Sequence, residues 1–158
     1  MSSETEVPLA RAVVATVVLA VLHFLLQPLL ASWWGSPHLV AGAVLVGALG
    51  LRPGGAAAAG FTLGLLEEAI VLSTVGPLGV VYAVGGFVAG RSWDLFFTDS
   101  RLFLPVYLFA GGWTLIAAGV LVGPDDATWR FVVLEAPVSA LVTAVLCLPA
   151  GRALTSRA

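Results

Sequence analysis

Residues 7–31 read VPLARAVVATVVLAVLHFLLQPLLA, and this stretch decides the fold class. Apart from Arg11 it is free of charge over more than the about 20 residues that carry a helix across ~30 Å of hydrocarbon. It is also longer than the ~7–15-residue apolar segment of a cleaved signal peptide. The Ser32-Trp33-Trp34 that follows does not resemble a small-residue cleavage site. The stretch therefore reads as a retained first membrane helix, with Trp33 and Trp34 suited to the headgroup level.

The rest of the chain repeats the pattern. Of its 158 residues 59% are hydrophobic and 10% are charged, and the mean hydropathy is +1.04. A soluble domain carries about 25% charged residues, so this chain lacks the means to coat a surface facing water. The apolar runs divide into six spans, about 7–31, 37–51, 56–74, 77–90, 102–122 and 131–150. Together they predict an all-α, six-helix membrane bundle that occupies residues 1–158 as one domain. The second and fourth spans are short. They either thin the bilayer and borrow flanking residues or enter without crossing fully. Residues 91–101, with Trp93 and Phe96-Phe97, read as a cytoplasmic loop or an interfacial helix.

Orientation follows from the cations. The chain has no lysine and seven arginines. With these spans, Arg11, Arg52, Arg91, Arg101, Arg152 and Arg157 fall on one side and only Arg130 on the other. Cytoplasmic segments carry the Lys/Arg excess. The expectation is a multi-pass membrane protein with both termini in the cytoplasm. The net charge of −2 and the absence of a basic patch offer nothing to nucleic acid. The single Cys147, inside an apolar run, reads as a small buried hydrophobe and implies no disulfide framework.

Glu67 and Glu68 are the costly residues. Counted from Ala56, they lie about 17–18 Å into the third span at 1.5 Å per residue. A charge near the bilayer centre costs at least ~2.5–3.5 kcal/mol, so these groups should face protein or water. Neighbouring helix positions point about 100° apart, so the two acids occupy different environments. His23 and Gln27, one turn apart in the first span, and Glu135, near the outer end of the sixth, fall at similar depth. They could converge on an outward-facing polar pocket; the plainer alternative is a set of interhelical hydrogen bonds. His38 reads as an interfacial residue. Gly60-x-x-x-Gly64 and Gly86-x-x-x-Gly90 offer surfaces for close helix approach, and among 18 glycines intramolecular packing is the simpler use. No nucleophile elbow, His-Glu-x-x-His or phosphate-binding loop is present. Asp94 and Asp99 lack metal-type spacing. No catalytic residue, metal ligand or cofactor is therefore expected.

Three runs go beyond composition: Gly60-Phe61-Thr62-Leu63-Gly64-Leu65-Leu66-Glu67-Glu68, then Gly76-Pro77-Leu78-Gly79, then Gly85-Gly86-Phe87-Val88-Ala89-Gly90-Arg91. They resemble the rod shape-determining MreD family, with its Gly-Phe-x-x-Gly-x-x-x-Asp run, Gly-x-x-Leu-Gly turn and apolar span ending in a basic residue. Leu26-Gln27-Pro28, Pro37, the span number and the basic tail are also similar. Glu68 stands where the family has Asp, Glu67 adds a second acid, and the gap to the turn is a few residues longer. The resemblance implies a non-enzymatic scaffold of the elongation machinery for peptidoglycan synthesis. Its partner would be an MreC-like single-span protein, and through it MreB, RodA and a class B penicillin-binding protein, all within membrane lipid. On this reading Gly60, Phe61, Gly64, Glu67, Glu68, Gly76, Pro77, Gly79, Gly86 and Gly90 are packing or partner residues. The implied fold is similar to the substrate-binding S component of energy-coupling-factor vitamin transporters. Such a component is the alternative function, with His23, Gln27, Glu67, Glu68 and Glu135 at its outward pocket. The shortage of Asn, Ser and Tyr there argues against a polar vitamin.

Overall fold

The computed structural model describes residues 9–30, 36–71, 77–96, 102–122 and 129–155. Among them the structure is all-helical. The helices are α1 (Leu9–Leu30), α2 (Leu39–Ala48), α3 (Pro53–Val71), α4 (Pro77–Phe96), α5 (Phe103–Val122) and α6 (Ala136–Thr155). A π-helical turn, Phe131–Glu135, leads into α6. Trp33, Trp34, Gly76, Arg101, Asp125, Asp126 and Arg157 lie outside the described residues.

Among the described residues, three helical segments are long and apolar enough to cross a membrane: Leu9–Leu29, Phe103–Val122 and Phe131–Thr155. Helices α3 and α4 match them in length, at 19 and 20 residues, but carry Glu67 and Glu68, and Arg91 and Asp94. Helix α4 continues through residues 91–96, a stretch that the sequence predicts to be a loop or an interfacial helix. No proline interrupts it there, and Gly90 packs against Pro53.

Helices α1 and α6 carry many of their large aliphatic side chains on the outside of the bundle. On α1 the inward positions are Ala12, Thr16, Leu19, Ala20 and His23, spaced as one helix face. Val14, Val17, Val18, Val21, Leu25 and Leu29 face outward and are exposed. On α6 the buried face is small or polar, with Ser139, Ala140, Thr143, Ala144 and Cys147, while Leu141, Val145 and Leu146 are exposed. Large aliphatic side chains outside and small or hydrogen-bonding ones inside suit lipid, where helix association depends on close packing.

Helix α2 is the centre. All ten of its residues are buried, and it packs against α1, α3, α4, α5 and α6. At 1.5 Å per residue it is only about 15 Å long. The backbone before it is non-helical, and such backbone is tolerated at membrane depth only where protein or a cavity satisfies it. Helix α6 does so here. The His38 N–H donates to Thr143 Oγ1 at 2.8 Å, and Ser139 Oγ donates to the Ser36 carbonyl at 2.5 Å. At the other end of α2 the Gly50 and Leu51 amides both return to the Gly47 carbonyl, at 3.1 and 3.0 Å.

The closest helix pair is α3 with α4. A Cβ on Gly60 would strike the Tyr82 carbonyl oxygen, and one on Gly86 the Ala56 carbonyl oxygen. On Gly64 it would lie 2.6 Å from Gly79 Cα. Any side chain at these positions pushes two backbones apart. Pro77 opens α4, where its missing N–H costs nothing. Phe61 points outward and is exposed.

The π turn has a local cause. The Ala136 amide bonds the Phe131 carbonyl five residues back. Pro137, next in the chain, has no N–H to give. The Val132 carbonyl is thereby left without a helical donor, and Trp113 Nε1 on α5 supplies one at 3.0 Å.

Candidate functional site

Contacts between elements define two ends of the bundle. One end holds Pro53 beside Gly90, Thr16 beside Gly47 and Gly151 beside Leu104. Arg11, Arg52, Arg91 and Arg152 are exposed around it. The opposite end holds the polar groups, with Arg130 exposed nearby.

At that opposite end α1 contributes His23, the turn into α2 contributes His38, and α3 contributes Glu67. Glu67 Oε1 lies 3.3 Å from His38 Nε2 and 3.8 Å from His23 Nε2. The two imidazoles stack with centroids 5.3 Å apart. The Tyr82 hydroxyl from α4 lies 3.4 Å from His38 Nδ1. With the proton on Nε2, His38 donates to Glu67 and accepts from Tyr82. With it on Nδ1, His38 donates to Tyr82 and turns a lone pair toward the carboxylate.

The cluster is not closed on itself. His23 and Glu67 side chains are only 7% and 8% exposed. Even so, His23 Nε2 and Glu67 Oε2 have no hydrogen-bond partner. A buried polar group left in this state costs about 1–3 kcal/mol. His38 is more open, at 31%. It borders, with His23, Gln27, Ser36 and Pro37, a cavity of about 220 Å³.

Glu68 does something else. Its Oε1 accepts a hydrogen bond from the Leu78 amide at 2.6 Å. Leu78 is the second residue of α4, so the carboxylate meets an amide that helix geometry leaves without an internal partner. The helix dipole favours negative charge at the same place. One acid thus belongs to the polar cluster and its neighbour to the α3–α4 connection, as their differing directions on the helix require.

The structure therefore brings His23 and Gln27 to one cavity and sets Glu67 against His23. It sends Glu68 to the start of α4 and leaves Glu135 on the π turn, outside the cavity wall. His38 and Tyr82 were not among the pocket residues read from the sequence. The available signal was Pro37-His38 at the start of a span too short to cross, where backbone and side chain must find polar partners inside the protein.

No protein-family model matches this chain, and neither a curated protein nor a solved structure resembles it at a significant level.

Proposed function

We propose that this chain is a non-enzymatic scaffold of the bacterial elongation machinery, of the MreD kind, which holds the span of an MreC-like protein. The observation that carries the reading is the α3–α4 pair. Gly60, Gly64, Gly79, Gly86 and Glu68, the residues that resemble the family, are spent on building that pair and its connection. A motif consumed in architecture fits a protein that works by binding.

In this reading all six helices lie in the cytoplasmic membrane, with α2 enclosed by the others. Exposed Arg11, Arg52, Arg91 and Arg152 gather at the cytoplasmic end, in keeping with the positive-inside bias. Both termini are cytoplasmic, and the His23–His38–Glu67 cluster faces outward. The partner links the scaffold to MreB, RodA and a class B penicillin-binding transpeptidase. Glycines 60 and 64 are buried between α3 and α4, so the partner span meets an outer face.

One observation favours a second reading, the substrate-binding component of an energy-coupling-factor transporter. The cavity beside His23, Gln27 and His38 lies where such a protein would hold its ligand. Native mass spectrometry of the protein gently extracted from its own membrane separates the two. A complex with a single-span protein bearing a large periplasmic domain is the expected result. A bound metabolite with ATPase-module partners would establish the transporter reading instead.

A further inference from the structure

We propose that His23, His38 and Glu67 bind a divalent first-row transition cation of the zinc class, with one coordination position open to the adjoining cavity. The site goes beyond the scaffold reading and does not rest on it.

Four observations converge. First, each residue offers a ligand atom, and these atoms all lie within 4.8 Å of one another. Zinc bonds of about 2.0–2.2 Å in tetrahedral geometry set ligand atoms about 3.3–3.5 Å apart. The measured separations from Glu67 Oε1 are 3.3 Å to His38 and 3.8 Å to His23. The ligand atoms of the two histidines, within 4.8 Å of one another, would have to close by up to about 1.3 Å to complete the set.

Second, His23 Nε2 and Glu67 Oε2 are buried and without hydrogen-bond partners. A cation bound between the histidines and the carboxylate engages the first directly. It draws the carboxylate into a role in which its second oxygen also coordinates or is compensated by charge.

Third, the outer support is present. Metal-bound imidazole gives its other ring N–H to a partner that fixes tautomer and ring direction. His38 Nδ1 faces the Tyr82 hydroxyl at 3.4 Å, which leaves Nε2 to coordinate. Tyr82 is itself only 1% exposed, so its position is set by packing.

Fourth, three protein ligands with a free position beside a cavity is the open form of a zinc site. The cavity of about 220 Å³ borders both histidines and has room for a water or a small donor ligand. Two imidazoles select against magnesium and calcium, which take oxygen ligands. Among transition metals the affinity should follow the usual rise from Co²⁺ to Cu²⁺, with Zn²⁺ below Cu²⁺. Because the ligands come from α1, the turn into α2 and α3, the cation would clasp three elements at one end of the bundle.

The test uses the full chain in detergent, purified through a tag without histidine and stripped with chelator. Co²⁺ is titrated as the spectroscopic probe. One equivalent should produce the intense visible bands of a four-coordinate ion, be displaced by one equivalent of Zn²⁺ and resist excess Mg²⁺. Zn²⁺ should also raise the Tm, because it binds the folded state. Glu67→Gln and His23→Gln should each weaken Co²⁺ binding by more than the about 10–100-fold that loss of an outer partner costs. Tyr82→Phe should fall within that range, and Glu135→Gln should bind as the parent does. Circular dichroism reports whether each variant is folded. Absence of saturable Co²⁺ binding by the parent overturns the proposal. So does unchanged affinity in folded Glu67→Gln or His23→Gln. Should those two variants not fold, unchanged affinity in Tyr82→Phe overturns it.

Discussion

The two ends of the bundle are held by different forces. At the arginine end the helices meet through glycine, alanine and a cluster of aromatic rings, with the Tyr107 hydroxyl donating to the Leu45 carbonyl at 3.3 Å. Trp93 of α4 meets Phe103 and Tyr107 of α5 at tilted and edge-on angles, with ring centroids 5.6 and 5.7 Å away. At the opposite end the contacts are polar: Glu68 to the Leu78 amide, Ser139 and Thr143 to the chain before α2, Trp113 to the Val132 carbonyl, and the His23–His38–Glu67 cluster. The non-helical Ser36–His38, the start of α4 and the π turn all fall at the polar end, and each has a side chain assigned to it. The same concentration of polar atoms leaves a cavity there.

The largest expected effect tests the packing that runs between the ends. Gly64→Leu drives a branched side chain into Gly79 backbone, which cannot yield as a flexible side chain does. It should cost at least about 3 kcal/mol and abolish a cooperative thermal transition by circular dichroism. A Tm within a few degrees of the parent's would show that α3 and α4 are not closely apposed. Next comes Trp93→Ala at the arginine end. Loss of two aromatic contacts and the buried part of the indole should cost about 2 kcal/mol, and Trp93→Phe should recover most of it.

Glu68→Ala probes the polar end and should cost about 1 kcal/mol, the usual worth of a helix cap. Glu68→Gln retains an acceptor for the Leu78 amide and should recover more than half of that loss. Equal losses in the two variants would mean that charge, not the hydrogen bond, holds the start of α4. The smallest effect is expected for Trp113→Phe, which keeps the ring but leaves the Val132 carbonyl without its donor. Interhelical hydrogen bonds in a membrane average about 0.6 kcal/mol, so the shift in Tm should be small and reproducible. A loss larger than that of Trp93→Ala would reverse the comparison between the two ends.

Much of this architecture is legible in the chain. The outward valines of α1 announce a lipid face. The small-residue spacing of Gly60, Gly64, Gly86 and Gly90 announces close approach, and the structure spends it inside the molecule. Pro77 marks the start of α4. Less legible was the extent of α4 beyond Gly90, because Arg91 and Asp94 signal polarity without breaking a helix. The burial of α2 was hidden too. A run such as Leu39–Ala48 reads alike whether lipid or protein surrounds it.

The sequence by itself determined that the chain is helical, apolar outside and asymmetric in charge from end to end, because hydrophobicity, spacing and arginine position are local properties. It also required Glu67 and Glu68 to part company, because adjacent helix positions diverge. Only the tertiary structure decided that Glu67 joins His23 and His38 while Glu68 closes onto Leu78. Those partners lie 44, 29 and 10 positions away along the chain. Side chains so separated meet because α2 is enclosed and α3 and α4 pack through their glycines. No periodicity within a single helix encodes that meeting.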